Sequence, residues 1–165
     1  MLSPQRARQL PPEKLIAALG LRGDETVADV GAGAGFFTLP LARALPRGRV
    51  IATDIEPTYL TVLGRRAAGL HNIETKLVAK DDPGLAAESL DLALLVQVDH
   101  YLPGRAAYFS RLRAALRPSG RLALVNFDRY RALDIAAAEA SNFTVTDSRE
   151  VGPDLFLVIL RPLPH

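Results

Sequence analysis

The sequence predicts a three-layer α/β sandwich, built on a mostly parallel seven-stranded sheet that ends in an antiparallel C-terminal hairpin. Three observations predict it. Helix-like and strand-like segments alternate from Leu10 to Phe127, a pattern that places helices on both faces of a parallel sheet. Asp91–Val98 is a near-continuous apolar run, as expected of a strand buried on both faces. Phe143–Ser148 and Leu155–Arg161 read as strands joined by a short segment containing Gly152-Pro153. That connection cannot hold a crossover helix, so the two strands must be antiparallel.

The elements follow in order. Leu10-Pro11-Pro12-Glu13 opens a first helix with proline in its first turn, Leu15, Ile16 and Leu19 form its apolar stripe, and Gly20 stops it. Val27–Gly31 is the first strand, Phe36–Leu45 a helix ended before Pro46, and Arg49–Asp54 the second strand. Pro57–Ala68 is a helix and Ile73–Val78 a short third strand. After Asp91–Val98 comes a helix over Gly104–Leu116. Pro118-Ser119-Gly120 then makes a turn into a strand over Arg121–Phe127. Ala132–Ala140 is a last helix before the hairpin.

With 165 residues, 48 % of them hydrophobic, the chain suits one domain. It divides into a helical lead-in (1–22), a binding core (23–127) and a C-terminal helix and hairpin (128–165). No apolar run is long enough to span a membrane. Met1–Leu10 carries Arg6 and Arg8 and has no apolar signal region, so the expected compartment is the cytoplasm. The chain has no cysteine, which removes disulfides, a thiolate nucleophile and Cys-ligated metals. Three scattered histidines (His71, His100, His165) argue against a metal site. The net charge of +2 is small. Arg105, Arg111, Arg113 and Arg117 recur near one helix, but no aromatics interleave with them as a nucleic-acid platform would need, so a solvated face is expected.

The most informative stretch is Val27-Ala28-Asp29-Val30-Gly31-Ala32-Gly33-Ala34-Gly35-Phe36-Phe37. A buried strand breaks into a glycine turn and feeds a helix, which is the construction of a nucleotide cradle. A dinucleotide fingerprint would need glycine where Phe36 stands. Asp54, at the end of the second strand, has the spacing of an acid that accepts hydrogen bonds from ribose hydroxyls. This D-x-G-x-G-x-G arrangement resembles motif I of the class I, Rossmann-like, S-adenosylmethionine-dependent methyltransferases, in the form of its small bacterial members. Leu116-Arg117-Pro118-Ser119-Gly120-Arg121 is similar to the family's segment before the fifth strand.

The resemblance implies S-adenosyl-L-methionine as cofactor. It implies that Gly31, Ala32, Gly33 and Gly35 cradle it, that Asp29, with Phe36 and Thr38 nearby, positions its methionine end, and that Asp54 holds its ribose. Ile55 and Tyr59 would wall the adenine, and Asp81 or Asp82 would bind its exocyclic amine. Gln97, Val98, Asp99, His100, Tyr101 and Leu102 would run beside the methyl group and the acceptor. His100 is then the candidate general base, with Asp99 orienting it and Tyr101 shaping the pocket.

The reading is a methyltransferase acting on a small-molecule acceptor. Alternatives are a non-catalytic cofactor-binding module and an NAD(P)-linked oxidoreductase. Phe36 argues against the last, as does the absence of a Tyr-x-x-x-Lys pair among Lys14, Lys76 and Lys80. Only Asn126–Arg131 separates the fifth strand from the next helix, where the family often carries a substrate-covering insertion. The acceptor site is therefore open, lost, or completed by the N-terminal segment or a second subunit, and a homodimer is one of the expectations.

Overall fold

The structure is a computed structural model and describes residues 4–164. Met1–Ser3 and His165, one of the three histidines read above, lie outside the described residues. Seven strands form one sheet: β1 (Thr26–Val30), β2 (Arg49–Asp54), β3 (Ile73–Leu77), β4 (Leu90–Val96), β5 (Leu116–Phe127), β6 (Phe143–Gly152) and β7 (Leu155–Pro162), in the order β3-β2-β1-β4-β5-β7-β6. Neighbours from β3 to β5 are parallel, and β7 is antiparallel to both β5 and β6. The expected α/β architecture and its antiparallel end are therefore the observed ones.

The helices are α1 (Pro4–Gln9), α2 (Pro12–Leu19), α3 (Thr38–Ala44), α4 (Pro57–Arg66), α5 (Arg105–Ala115) and α6 (Arg131–Glu139). Two apolar layers sandwich the sheet. Leu15, Leu41 and Leu45 pack with Val27, Val50 and Leu94 on one face, and Phe109, Leu112 and Phe143 pack with Ala28, Leu95 and Phe156 on the other. Each fully buried Leu or Phe contributes about 1.5–3 kcal/mol of transfer free energy, so the central strands are anchored from both sides. The Glu25 carboxylate, 0 % exposed, is tied to backbone: it accepts from the Arg22 and Gly23 amides at 2.8–3.0 Å.

Several boundaries differ from the sequence reading, among them β6, which runs to Gly152 rather than Ser148. The lead-in holds a separate helix, α1, which buries no residue and so leaves no apolar periodicity to read. Helix α3 starts at Thr38 rather than Phe36, because residues 31–37 are spent on turns in which Gly31, Gly33 and Gly35 take positive φ. Strand β5 starts at Leu116 rather than Arg121. Leu116 pairs with Leu90 and Arg121 with Leu92, so Pro118-Ser119-Gly120 is an irregularity within the strand rather than a turn before it.

The arginine series has a structural use. Arg111 pairs with Asp82 at 3.2 Å, Arg117 with Asp91 at 2.7 Å and Arg105 with Asp134 at 3.1 Å, while Arg113 donates to the Leu163 carbonyl at 2.6 Å. These cations neutralise the chain's own acids and carbonyls. No helix among the described residues is long and apolar enough to cross a membrane.

Candidate functional site

The strand order reverses between β1 and β4, and in open sheets ligands sit outside the carboxyl ends of the strands at such a point. A cavity of about 460 Å³ opens there, within the range of small-ligand sites. Its floor is the turn Gly31–Ala34, with Val30, Val96 and Gln97 from the adjoining strand ends. The glycines are needed for distinct reasons. A Cβ on Gly31 would fall 2.6 Å from a Val98 methyl and one on Gly35 2.3 Å from a Leu63 methyl, whereas one on Gly33 would meet nothing within 4 Å. Gly33 faces the open cavity, where a side chain would stand in the ligand's space.

Asp54 ends β2 and is 8 % exposed. Its Oδ2 accepts from the Gly33 amide at 2.8 Å and its Oδ1 from the Glu56 amide at 2.9 Å. Each oxygen keeps lone-pair capacity for another donor. Ile55 and Tyr59, 54 % and 42 % exposed, form an apolar wall beside it. Asp29 lies behind the loop, 3 % exposed, with its Oδ2 accepting the Thr38 hydroxyl at 2.6 Å. Burial pushes its carboxyl up to about 6, against the pull of Thr38 and Arg6.

Asp81 and Asp82 are not among the residues lining the cavity, which is bounded on that side by Val78, Ala79, Lys80 and the phenol of Tyr108. Asp82 accepts from the Gly84 amide at 2.8 Å and pairs with Arg111, so it closes its own turn. Arg6, Lys80 and Tyr108 are among the cavity residues that escaped the sequence reading. The Arg6 guanidinium lies 5.5 Å and 5.4 Å from the Phe36 and Phe37 ring centres and interacts with buried Asp29. Arg6 was noted only as a charge, since a six-residue helix without a buried face carries no signal.

At the end of β4, Gln97 adopts φ 57° while its amide donates to the Val125 carbonyl at 2.7 Å. A left-handed non-glycine residue costs about 1–2 kcal/mol, and this one turns the chain into the segment Asp99–Tyr101. Tyr101, 71 % exposed, lines the cavity; His100 and Asp99 do not. His100 stacks on Tyr130 with the rings parallel and 4.9 Å apart, and its Nδ1 lies 3.1 Å from Asn126 Oδ1. Burial lowers its pKa.

Asp99 is 0 % exposed and makes no direct bond to His100; Asn126 stands between them. Asn126 Nδ2 donates to Asp99 at 2.8 Å and to Asp134 at 3.1 Å, and Arg105 Nε completes the cluster 3.8 Å from Asp99 and 3.1 Å from Asp134. Burial and the neighbouring Asp134 push the Asp99 carboxyl well above the usual carboxylate range. Among the described residues no group of three or more His, Asp or Glu is placed to hold a metal.

The chain belongs to the methyltransferase-domain family, whose model matches residues 28–122, so the expected class I S-adenosylmethionine-dependent family is the one found. It is 34 % identical over 142 residues to the release factor glutamine methyltransferase of Moorella thermoacetica, covering 84 % of this chain and 50 % of that protein. It is 31 % identical over 113 residues to the demethylmenaquinone methyltransferase of Tropheryma whipplei, covering 68 % of this chain and 46 % of that one. The chain thus spans about half the length of the curated relatives it matches. A SAM-dependent methyltransferase from Aquifex aeolicus superposes with TM-score 0.87 at 23 % identity, over 96 % of this chain and 93 % of its own, and shares the fold.

Proposed function

We propose that the chain transfers a methyl group from S-adenosylmethionine to a small organic acceptor. The observation that carries the reading is the Asp54–Gly33 hydrogen bond at the mouth of the β1–β4 switch point, which sets a partly satisfied carboxylate against a glycine loop open to a ligand. The residues fit the cofactor: Asp54 for the ribose hydroxyls, Ile55 and Tyr59 for the adenine, the Gly31–Gly33 backbone for the methionine end, and Arg6 for its carboxylate, while Asp29 stands behind the loop and outside the cavity lining. The bound cofactor supplies a methyl group already activated by a sulfonium charge. The chain's task is then alignment, and orientation alone can supply about 7–11 kcal/mol.

The acceptor side supports a planar small molecule. Tyr101 lines the cavity, its ring meets His100, and His100 in turn meets Phe127 and Tyr130, over which Arg129 lies at 4.5 Å and 5.0 Å. His100 is the residue there able to take a proton from a hydroxyl or ammonium acceptor near neutral pH.

Calorimetric titration with S-adenosylmethionine, S-adenosylhomocysteine and NAD tests the cofactor. Micromolar binding of the two sulfur nucleosides without NAD is expected, and NAD binding alone would overturn the reading. Methylation of a panel of phenols, amines and thiols, run beside a glutamine-containing peptide, tests the acceptor; methylation of the peptide alone would replace the small-molecule reading with a protein acceptor.

A further inference from the structure

Asn126 is the next-to-last residue of β5 and is 0 % exposed. Its amide orientation is not free. The Phe127 backbone N–H lies 2.9 Å from one amide atom. A backbone N–H can only donate, so that atom is the oxygen. The other atom is the nitrogen, and both its hydrogens are used, toward Asp99 at 2.8 Å and Asp134 at 3.1 Å. Turning the amide over would set its oxygen against two buried carboxyl groups and its NH₂ against an N–H.

This orientation dictates what His100 does. Its Nδ1 meets Asn126 Oδ1 at 3.1 Å, and an amide oxygen can only accept. Nδ1 must carry a hydrogen in both charge states of the ring. The Nε2 atom makes no hydrogen bond to the described residues and is not among the buried unpartnered atoms, so it keeps access to solvent. Stacking on Tyr130 and contact with Tyr101 hold the ring plane.

We propose that Asn126, held by Asp134 and Asp99, is a positioning residue that locks His100 as the Nδ1–H tautomer and confines its acid–base chemistry to Nε2. The two carboxyl groups lie on different elements, Asp99 after β4 and Asp134 on α6, and converge on one amide. Arg105 from α5 offsets their charge. The lock predicts a defined titration: the ring loses its proton from Nε2, in the field of Arg105, Arg129, Asp134 and Asp99 and against the rings of Tyr101, Phe127 and Tyr130. Its catalytic consequence rests on the reading of His100 as base; the tautomer does not.

The test is a two-bond ¹⁵N–¹H correlation spectrum of the uniformly labelled full chain at a pH where the ring is neutral. The His100→Gln spectrum assigns the signals. A pyrrole-type shift at Nδ1 and a pyridine-type shift at Nε2 are expected. The reverse pattern, or averaged shifts, would overturn the proposal, whether or not the chain methylates anything. Asn126→Ala should release the lock and bring the shifts toward averaging. Asn126→Asp, which keeps an acceptor at the same place, should retain the Nδ1–H pattern and raise the His100 pKa. Persistence of the wild-type pattern in a folded Asn126→Ala chain would also sink the idea. If neither variant folds, the wild-type spectrum decides.

Discussion

The Gly33 amide donates to Asp54 Oδ2 at 2.8 Å, across 21 residues of sequence. This bond ties the glycine loop after β1 to the carboxyl end of β2, so the shape of the cavity floor and the position of its acid are set together. Asp54→Ala removes the acid and leaves the loop amide without its partner. Charge-assisted hydrogen bonds are worth about 1.5–3 kcal/mol, so affinity for S-adenosylhomocysteine should fall at least about tenfold by calorimetry. Unchanged affinity would mean that the ribose lies elsewhere.

Two glycines of the loop separate folding from binding. Gly35→Ala places a Cβ 2.3 Å from buried Leu63 at φ 90° and should lower stability by about 1–3 kcal/mol, read as a shifted urea midpoint. Gly33→Ala meets nothing within 4 Å at φ 56°. It should cost only the strain of the left-handed backbone, about 1–2 kcal/mol, with no clash added, yet weaken nucleoside binding, because its methyl group enters the cavity. Equal effects of both on stability would show that the loop has no open side.

Asp29 makes stability fall as pH rises. Burial favours its protonated form, and its carboxyl is pushed up to about 6 in the folded chain. Between about pH 4 and pH 6 the folded state therefore binds more protons than the unfolded one, and stability declines across that window. Above it the penalty is complete, at most about 3 kcal/mol from a shift of about two units. Asp29→Asn keeps an acceptor for Thr38 and removes the charge. It should raise the melting temperature at pH 8, with the gain vanishing near pH 4. A pH-independent gain would show that Asp29 is ionised without penalty.

Arg105 offsets the buried Asp99 and Asp134 carboxyl groups from 3.8 Å and 3.1 Å. Removing one partner of a buried charge cluster costs about 3–5 kcal/mol, so Arg105→Leu should lose on that order in urea unfolding. Asp134→Asn in the same chain should recover part of the loss. Additive effects of the two substitutions would mean that the residues do not interact.

What was legible in the sequence is what neighbours in the chain encode. The glycine turn and Asp54 sit at strand ends that alternation alone locates, and the antiparallel hairpin followed from the length of one connection. Arg6, on a helix with no buried face, left only its charge. Asp99 was read as the partner of His100 because the two are adjacent, but adjacency does not set side-chain direction. The partner is Asn126, from a strand 26 residues on, and behind it stands Asp134 from α6. The resemblance offers Asp81 or Asp82, after β3, for the adenine; the turn that Asp82 closes and the arginine it meets account for Asp82 locally. Contacts that join three elements through one amide leave no pattern in any single segment.

His100 decides whether the ring cluster beside the cavity is chemical or architectural. Burial lowers its pKa, so the ring is neutral and able to accept a proton at and below neutral pH. A base acts above its pKa, so for a hydroxyl acceptor the rate should be flat near pH 7–8 and fall only on the acid side of the ordinary histidine value, about 6.5. General-base contributions are about 10²–10⁴-fold. His100→Gln keeps the contact with Tyr130 in part but cannot take a proton, and should lower the turnover number within that range while leaving cofactor affinity in place. Its pH profile should lose the acid limb. An acceptor that is nucleophilic without deprotonation would be spared, so comparing a phenol with a thiolate in the same variant separates proton removal from simple misplacement. Full rate with the phenol across about pH 6–9 would remove His100 from the chemistry, and the aromatic cluster would then stand as the wall of the acceptor pocket.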